Sequence, residues 1–360
     1  MFKVSPRVTS LGPTLAASAV LLLLPAVIHD TFEIQVLTEI SISLLALTGL
    51  NLISGYAGEL SLAQGSFYGI GAYFATIAAT RGMSPTLAFL LAPVAAAVVA
   101  FVVAIPSLRL RGLYFAMVTL AIAVVVDELM NNLTSLTGGI NGLPVTSVLS
   151  FFGIAIGSAL SLYYLAVILA IVGLFVAHLF LRSRMGWGLR AAKSSEPAAA
   201  TLGINIFRLR VIAFTLSGAY GGFAGALEAY HSTYISPSSF TYSISIMFFV
   251  VLLIGGIGTF SGPIIGAFIL YAFTRWLTSF SQAEGIIIAG VFLVCLRFFP
   301  RGISVASTSF ARRVLRRFSS PDGATPSNAG VIEDDLSAGQ LIVGDAAFAT
   351  EETATSGELR

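Results

Sequence analysis

The hardest constraint on this chain is its supply of long uncharged apolar runs. Stretches such as 11–28 and 160–181 hold no Asp, Glu, Lys or Arg. Each approaches the roughly 20 apolar residues with which a helix crosses a bilayer. Charged residues make up only 10% of the chain and hydrophobic ones 56%, whereas a soluble domain carries roughly 25% charged residues to build its polar shell. The runs are too long and too uniform for the alternating segments of a β-barrel. The sequence therefore predicts an all-α polytopic membrane protein, with the lipid bilayer as its solvent.

About ten transmembrane helices fit the pattern, near 11–29, 34–53, 61–80, 86–106, 112–132, 159–181, 209–230, 243–259, 262–280 and 284–299. The charges between them test the count. With the N-terminus inside, Lys3, Arg7, Arg109, Arg111, the basic residues of 182–210 and those from Arg297 onward all fall inside. Asp30, Glu33, Glu39 and Glu284 fall outside, and only Arg81 opposes the trend. Basic residues gather in cytoplasmic loops, so both termini are expected in the cytoplasm. No small-x-small cleavage site follows the first run, which reads as a retained span. Five spans precede the uncharged outer loop 133–158 and five follow. Five is odd, so the halves would enter the membrane in opposite directions, the geometry of a 5+5 inverted repeat.

The transmembrane domain is expected to occupy 1–305. A basic juxtamembrane segment, 306–318, contains "FARRVLRRF" and suits an anionic inner leaflet. The remainder, 319–360, is acidic, rich in small polar residues and reads as mostly disordered. Up to residue 321 the chain has 18 Lys and Arg against 9 Asp and Glu; beyond it the count is 1 against 8. The basic excess lies in loops between spans, so it sets orientation and does not imply nucleic acid.

The largest inner loop, 182–210, is basic at both ends. Its middle reads as a short helix from Glu196: Ser194 or Ser195 can cap it, Pro197 suits the first turn and Gly203 can stop it. Its small alanines leave a smooth face for another protein, and the loop is longer than a plain connection needs. The chain has two lysines, Lys3 and Lys193, and neither belongs to a G-x-x-x-x-G-K-[ST] loop. No cofactor is expected in this chain; if transport is driven by ATP, the nucleotide is bound by another polypeptide. Cys295 is a lone cysteine, and His29, His178 and His231 stand far apart, so no metal site is expected.

Polar residues within or beside spans are the candidates for a translocation pathway: Asn51, Glu59, Asp127, Glu128 and Glu228. A charge at the bilayer centre costs about 2.5–3.5 kcal/mol on insertion scales. These carboxylates sit near span ends, where interfacial and packing roles compete with a pathway role. They form no spaced relay across the membrane, which weakens a proton-coupled mechanism. Glycine-rich zones at 55–71, 218–225 and 255–266 permit close helix packing or unwound backbone beside a cavity. Glu59 falls in the first zone, where the second span turns into the third at the inner interface; it either lines the pathway or faces inner water.

The segments "GLNLISGYAGELSLAQGSFYGIGAY" (49–73), "PSLRLRGLYFAMVTLA" (106–121), "NNLTSLTGGINGL" (131–143), "SRMGWGLRAAKSSEPAAATLGIN" (183–205), "GGIGTFSGPIIGA" (255–267) and "RFFPRGI" (297–303) together resemble the branched-chain amino-acid ABC transporter permease family, in the expected order over roughly 35–305. The resemblance implies a type II ABC importer membrane subunit, multi-pass in a bacterial inner membrane and not itself an enzyme. It implies as partners a second homologous permease, two cytoplasmic ATP-binding subunits and an extracytoplasmic substrate-binding protein. Glu196, Ala198, Ala199, Gly203 and Asn205 match the family's ATPase-coupling loop, while Pro197 departs from its commonest pattern. Within the class, urea, a short amide or a pentose is the alternative substrate. Outside it stand an ion-coupled secondary transporter, which would need a coupling-ion site, and a membrane enzyme, which would need a catalytic constellation.

Overall fold

The computed structural model describes residues 30–151 and 154–277. The first helix, Thr31–Leu50 (α1), starts on Asp30, whose carboxylate accepts from Phe32 N–H at 3.1 Å. From Ile40 onward it carries no charged residue on any side, and such a helix belongs either in lipid or in a core. Here it is the core: with its extension, 94% of its most apolar window is buried. Thr38, Ser41 and Thr48 hide their hydroxyls on carbonyls one turn back, at 2.8, 2.8 and 2.7 Å. The helix widens into a π-helical turn, Asn51–Ala57, ended by Gly58 in the left-handed region that favours glycine.

After a non-helical turn at 58–63 the chain re-enters as α2 (Gln64–Thr80). Then follow α3 (Pro85–Ser107), α4 (Leu113–Asn132) and α5 (Ala159–Arg182). Two short helices, α6 (Arg184–Ser194) and α7 (Glu196–Thr201), precede α8 (Ile206–Ser232). The last described helices are α9 (Tyr242–Gly256) and α10 (Gly262–Leu277). The eight expected spans between 34 and 280 each fall on one of these helices. The expected spans at 11–29 and 284–299, and the segments 306–318 and 319–360, lie outside the described residues. Among the described residues, five helices are long and apolar enough to cross a membrane: α1 with its π turn, α3, α4, α5, and α9 with the turn before it.

Small residues decide the packing. Ala88, Ala92, Ala96, Ala100 and Ala104 recur one helical turn apart and are buried along one face of α3. The opposite face shows Leu90, Val94, Val98, Phe101 and Val102, as a lipid-facing helix should. The alanine face receives α8, where a Cβ on Gly218 or Gly222 would strike Ala100 or Ala96. On its other side α8 touches α2 backbone to backbone. A Cβ on Gly71 would land on the Gly222 carbonyl, and one on Gly225 on the Tyr68 carbonyl. Such close approach is how helices gain dispersion energy in lipid.

The uncharged connection 133–158 has more order than a loop. It makes one helical turn (Thr134–Thr137), a 3-10 turn, strand β1 (Leu143–Pro144) and a hairpin of β2 (Leu149–Phe151) with β3 (Ile154–Ile156). β1 pairs antiparallel with β4 (Tyr234–Ile235) of the α8–α9 connection, placing Leu143 opposite Ile235.

Candidate functional site

The turns that carry most of the basic residues meet at one end of the bundle. There α7 is built as its residues dictate. Ser195 caps it, its Oγ accepting from Ala198 N–H at 3.4 Å, and Pro197 occupies the first turn. Gly203 leaves it at φ +74° with open space where a Cβ would stand. Asn205 caps the next helix, its Oδ1 accepting from Arg208 N–H at 3.0 Å. Ala199 is buried beneath α7, while Pro197, Ala198, Ala200, Thr201 and Leu202 are exposed, Leu202 to 77%.

Glu196 turns its carboxylate inward. It accepts a hydrogen bond from Arg210 on α8 and lies 3.2 Å from Arg111 Nη1. Arg210 is itself buried, and its Nε lies 3.0 Å from Glu59 Oε1, an ion pair without hydrogen-bond alignment. Glu59 is only 4% exposed. Burial pushes the Glu59 carboxyl above the usual range, and the charge of Arg210 pulls against it. The Arg210 hydrogen bond holds Glu196 below the usual range, because Glu196 loses less water.

Two further ties reach the π turn. Lys193 of α6 donates to the Gly55 carbonyl. Asn51, 3% exposed, donates to Thr259 O at 2.8 Å and accepts from Gly258 N–H at 2.8 Å in the α9–α10 turn. The 58–63 turn is fixed in addition to α4, where Thr119 Oγ1 accepts from Leu62 N–H at 3.0 Å. Segments 49–73, 106–121, 183–205 and 255–267 thus converge on one junction.

The remaining candidates lie at the far end. Asp127 and Glu128 of α4 each accept from the side chain four residues on, Asn131 at 3.1 Å and Asn132 at 2.7 Å. Glu128 is exposed; Glu228 of α8 is half-buried and bonded by Tyr68 of α2. A cavity of about 220 Å³ opens nearby, among Gln35, Thr38, Ser147, Tyr230 and His231. The structure therefore joins Glu59 to Glu196, sets Asn51 beside them and leaves Asp127, Glu128 and Glu228 apart. Sequence reasoning missed Arg210 as their link. A signal existed: Arg208 and Arg210 open a helix two residues apart, about 200° around it, so a helix packed on one side turns one of them toward the bundle.

Apolar spans, a charged junction at one end and an exposed short helix beside it define a multi-pass membrane protein of the permease class. The family described as branched-chain amino acid transport system, permease component, matches residues 33–296. The chain belongs to that family. It is 32% identical to the high-affinity branched-chain amino acid transport system permease protein LivM of Escherichia coli (strain K12), over 76% of this chain and 70% of that protein. It is 30% identical to LivM of Salmonella typhimurium, over 75% and 69%. The probable permease protein LivH of Methanocaldococcus jannaschii is 27% identical, over 76% of this chain and 92% of its own length. No solved structure matches the chain.

Proposed function

We propose that this permease forms one half of the translocation pathway of an ABC importer for branched-chain or related amino acids. Separate cytoplasmic subunits hydrolyse ATP, and an extracytoplasmic protein delivers the substrate. The observation that carries the reading is α7: an exposed, capped helix at the basic end, with Glu196 gripped from within and Leu202 held out. The basic end is the cytoplasmic one, because basic loops stay inside. The ATPases dock on the exposed face of Pro197–Leu202 and push it as they close. Gly203 supplies the left-handed exit, Asn205 starts α8, and Ala198 and Ala199 give a smooth outer and a packed inner side. A second homologous permease covers the exposed face of α4, so that Asp127 and Glu128 meet the pathway and not lipid; a carboxylate on a lipid-facing surface is costly. Ten spans in two inverted halves, with both termini in the cytoplasm, belong to this reading.

The test is reconstitution with a second permease, two ATP-binding subunits and a binding protein. Leucine, isoleucine or valine uptake should depend on ATP, with urea, a short amide and a pentose excluded. Gly203→Leu and Glu196→Lys should uncouple hydrolysis from uptake without loss of membrane insertion. Normal transport by both variants would refute the coupling assignment.

A further inference from the structure

Among the residues up to 272 whose burial is described, Arg210 and Glu59 are the only Asp, Glu, Lys or Arg side chains that are buried. Burying a charge is unfavourable unless it is paired, and apolar residues of similar size often serve stability as well or better. A structural explanation alone therefore leaves the choice of arginine unaccounted for. Arginine differs from an apolar plug in gripping two acids at once through a rigid planar fork. Arg210 does this: one arm meets Glu196, the first residue of α7, and its Nε meets Glu59 in the 58–63 turn. The turn is in turn fixed at both sides. Ser61 N–H donates to Ser54 Oγ at 3.3 Å in the π turn, and Leu62 N–H donates to Thr119 Oγ1 at 3.0 Å on α4. The contacts form an unbroken path from the exposed helix α7 to α4, the helix whose far half holds Asp127 and Glu128.

We propose that Arg210 is a positioning residue of the transport cycle: by bridging Glu196 and Glu59 it makes α7 and the 58–63 turn move as one body, so that displacement of α7 reaches α4. This rests on the reading of α7 as the surface on which the ATPases dock. Arg111, mostly exposed, adds a second, outer contact from Glu196 to the start of α4.

The experiment compares the reconstituted complex carrying Arg210→Lys with one carrying Glu59→Gln, Arg210→Met and Glu196→Gln together. Lysine keeps the charge but cannot hold two carboxylates in a fork, and the triple variant leaves no buried charge unpaired. Uptake per ATP hydrolysed should fall roughly tenfold in both, a size typical of coupling between sites, while membrane insertion and ATP hydrolysis persist. A ratio within about twofold of the unaltered complex in the triple variant would overturn the proposal, since coupling energies begin near fivefold. Failure of both Arg210 variants to assemble would overturn it too, by making the residue one of folding. If the unaltered complex shows no ATP-driven uptake, the importer reading fails instead.

Discussion

Asn51 and Gly258, 207 residues apart in sequence, meet at 2.8 Å, the Asn51 side chain accepting from the Gly258 backbone. The same carboxamide donates to Thr259 O, so it behaves as a piece of backbone joining the π turn to the α9–α10 turn. Asn51→Ala should take from the half-buried α9–α10 turn the acceptor of Gly258 N–H and a donor to Thr259 O. A lost hydrogen bond costs about 0.5–1.5 kcal/mol. The thermal midpoint of the detergent-purified protein should fall. Equal midpoints for Asn51→Ala and the unaltered protein would show that the bridge contributes nothing.

Glu196 and Glu59 share Arg210 yet should respond to acid in opposite senses. Glu196 has its carboxyl held below the ordinary 4.5. Its contribution to stability is complete above that pH and is lost as pH falls through its folded value. Glu59 is raised above the ordinary 4.5. Its charged form weighs against the fold, and that burden lifts as pH falls through its folded value. In acid titrations of thermal stability, Glu196→Gln should remove a loss on acidification, and Glu59→Gln should remove a gain. Two variants that change the slope in the same direction would contradict these environments.

Gly71 and Gly157 separate packing from composition. A Cβ on Gly71 would collide with the Gly222 backbone, whereas one on Gly157 meets only Val148 Cγ1 at 3.4 Å. Gly71→Leu should destabilise by about 1–3 kcal/mol or more, as overpacking does, and Gly157→Ala should be near neutral. Denaturation in detergent measures both. A tolerated leucine at 71 would mean that α2 and α8 are not in backbone contact.

Exposure distinguishes the two acids further. On a Cys295→Ser background, a cysteine replacing Glu128 should react with a membrane-impermeant maleimide added from outside the cell. One replacing Glu59, which is 4% exposed and lies at the basic end, should stay unreactive in inside-out vesicles and react only after unfolding. Rapid labelling of the native protein at position 59 would contradict its burial.

The spans were legible because the energy of a chain in lipid depends first on uninterrupted apolar length, which a sequence displays directly. The caps of α7 were legible for the same local reason: Ser195, Pro197 and Gly203 act within one turn of their own positions. Three features were not. The strands of 143–156 are two or three residues long, too short for an alternation to register. The centrality of α1 was hidden because its uncharged stretch from Ile40 onward looks the same in lipid and in a core. The Arg210 bridge depends on residues that only the packed bundle brings together, so nothing near Glu59 in the sequence marks Arg210 as its partner.

The pairing of Leu143 with Ile235 stitches the α4–α5 connection to the α8–α9 connection. With Val145 N–H donating to Thr233 O at 2.9 Å, neither connection can shift along the other at this seam without breaking backbone hydrogen bonds.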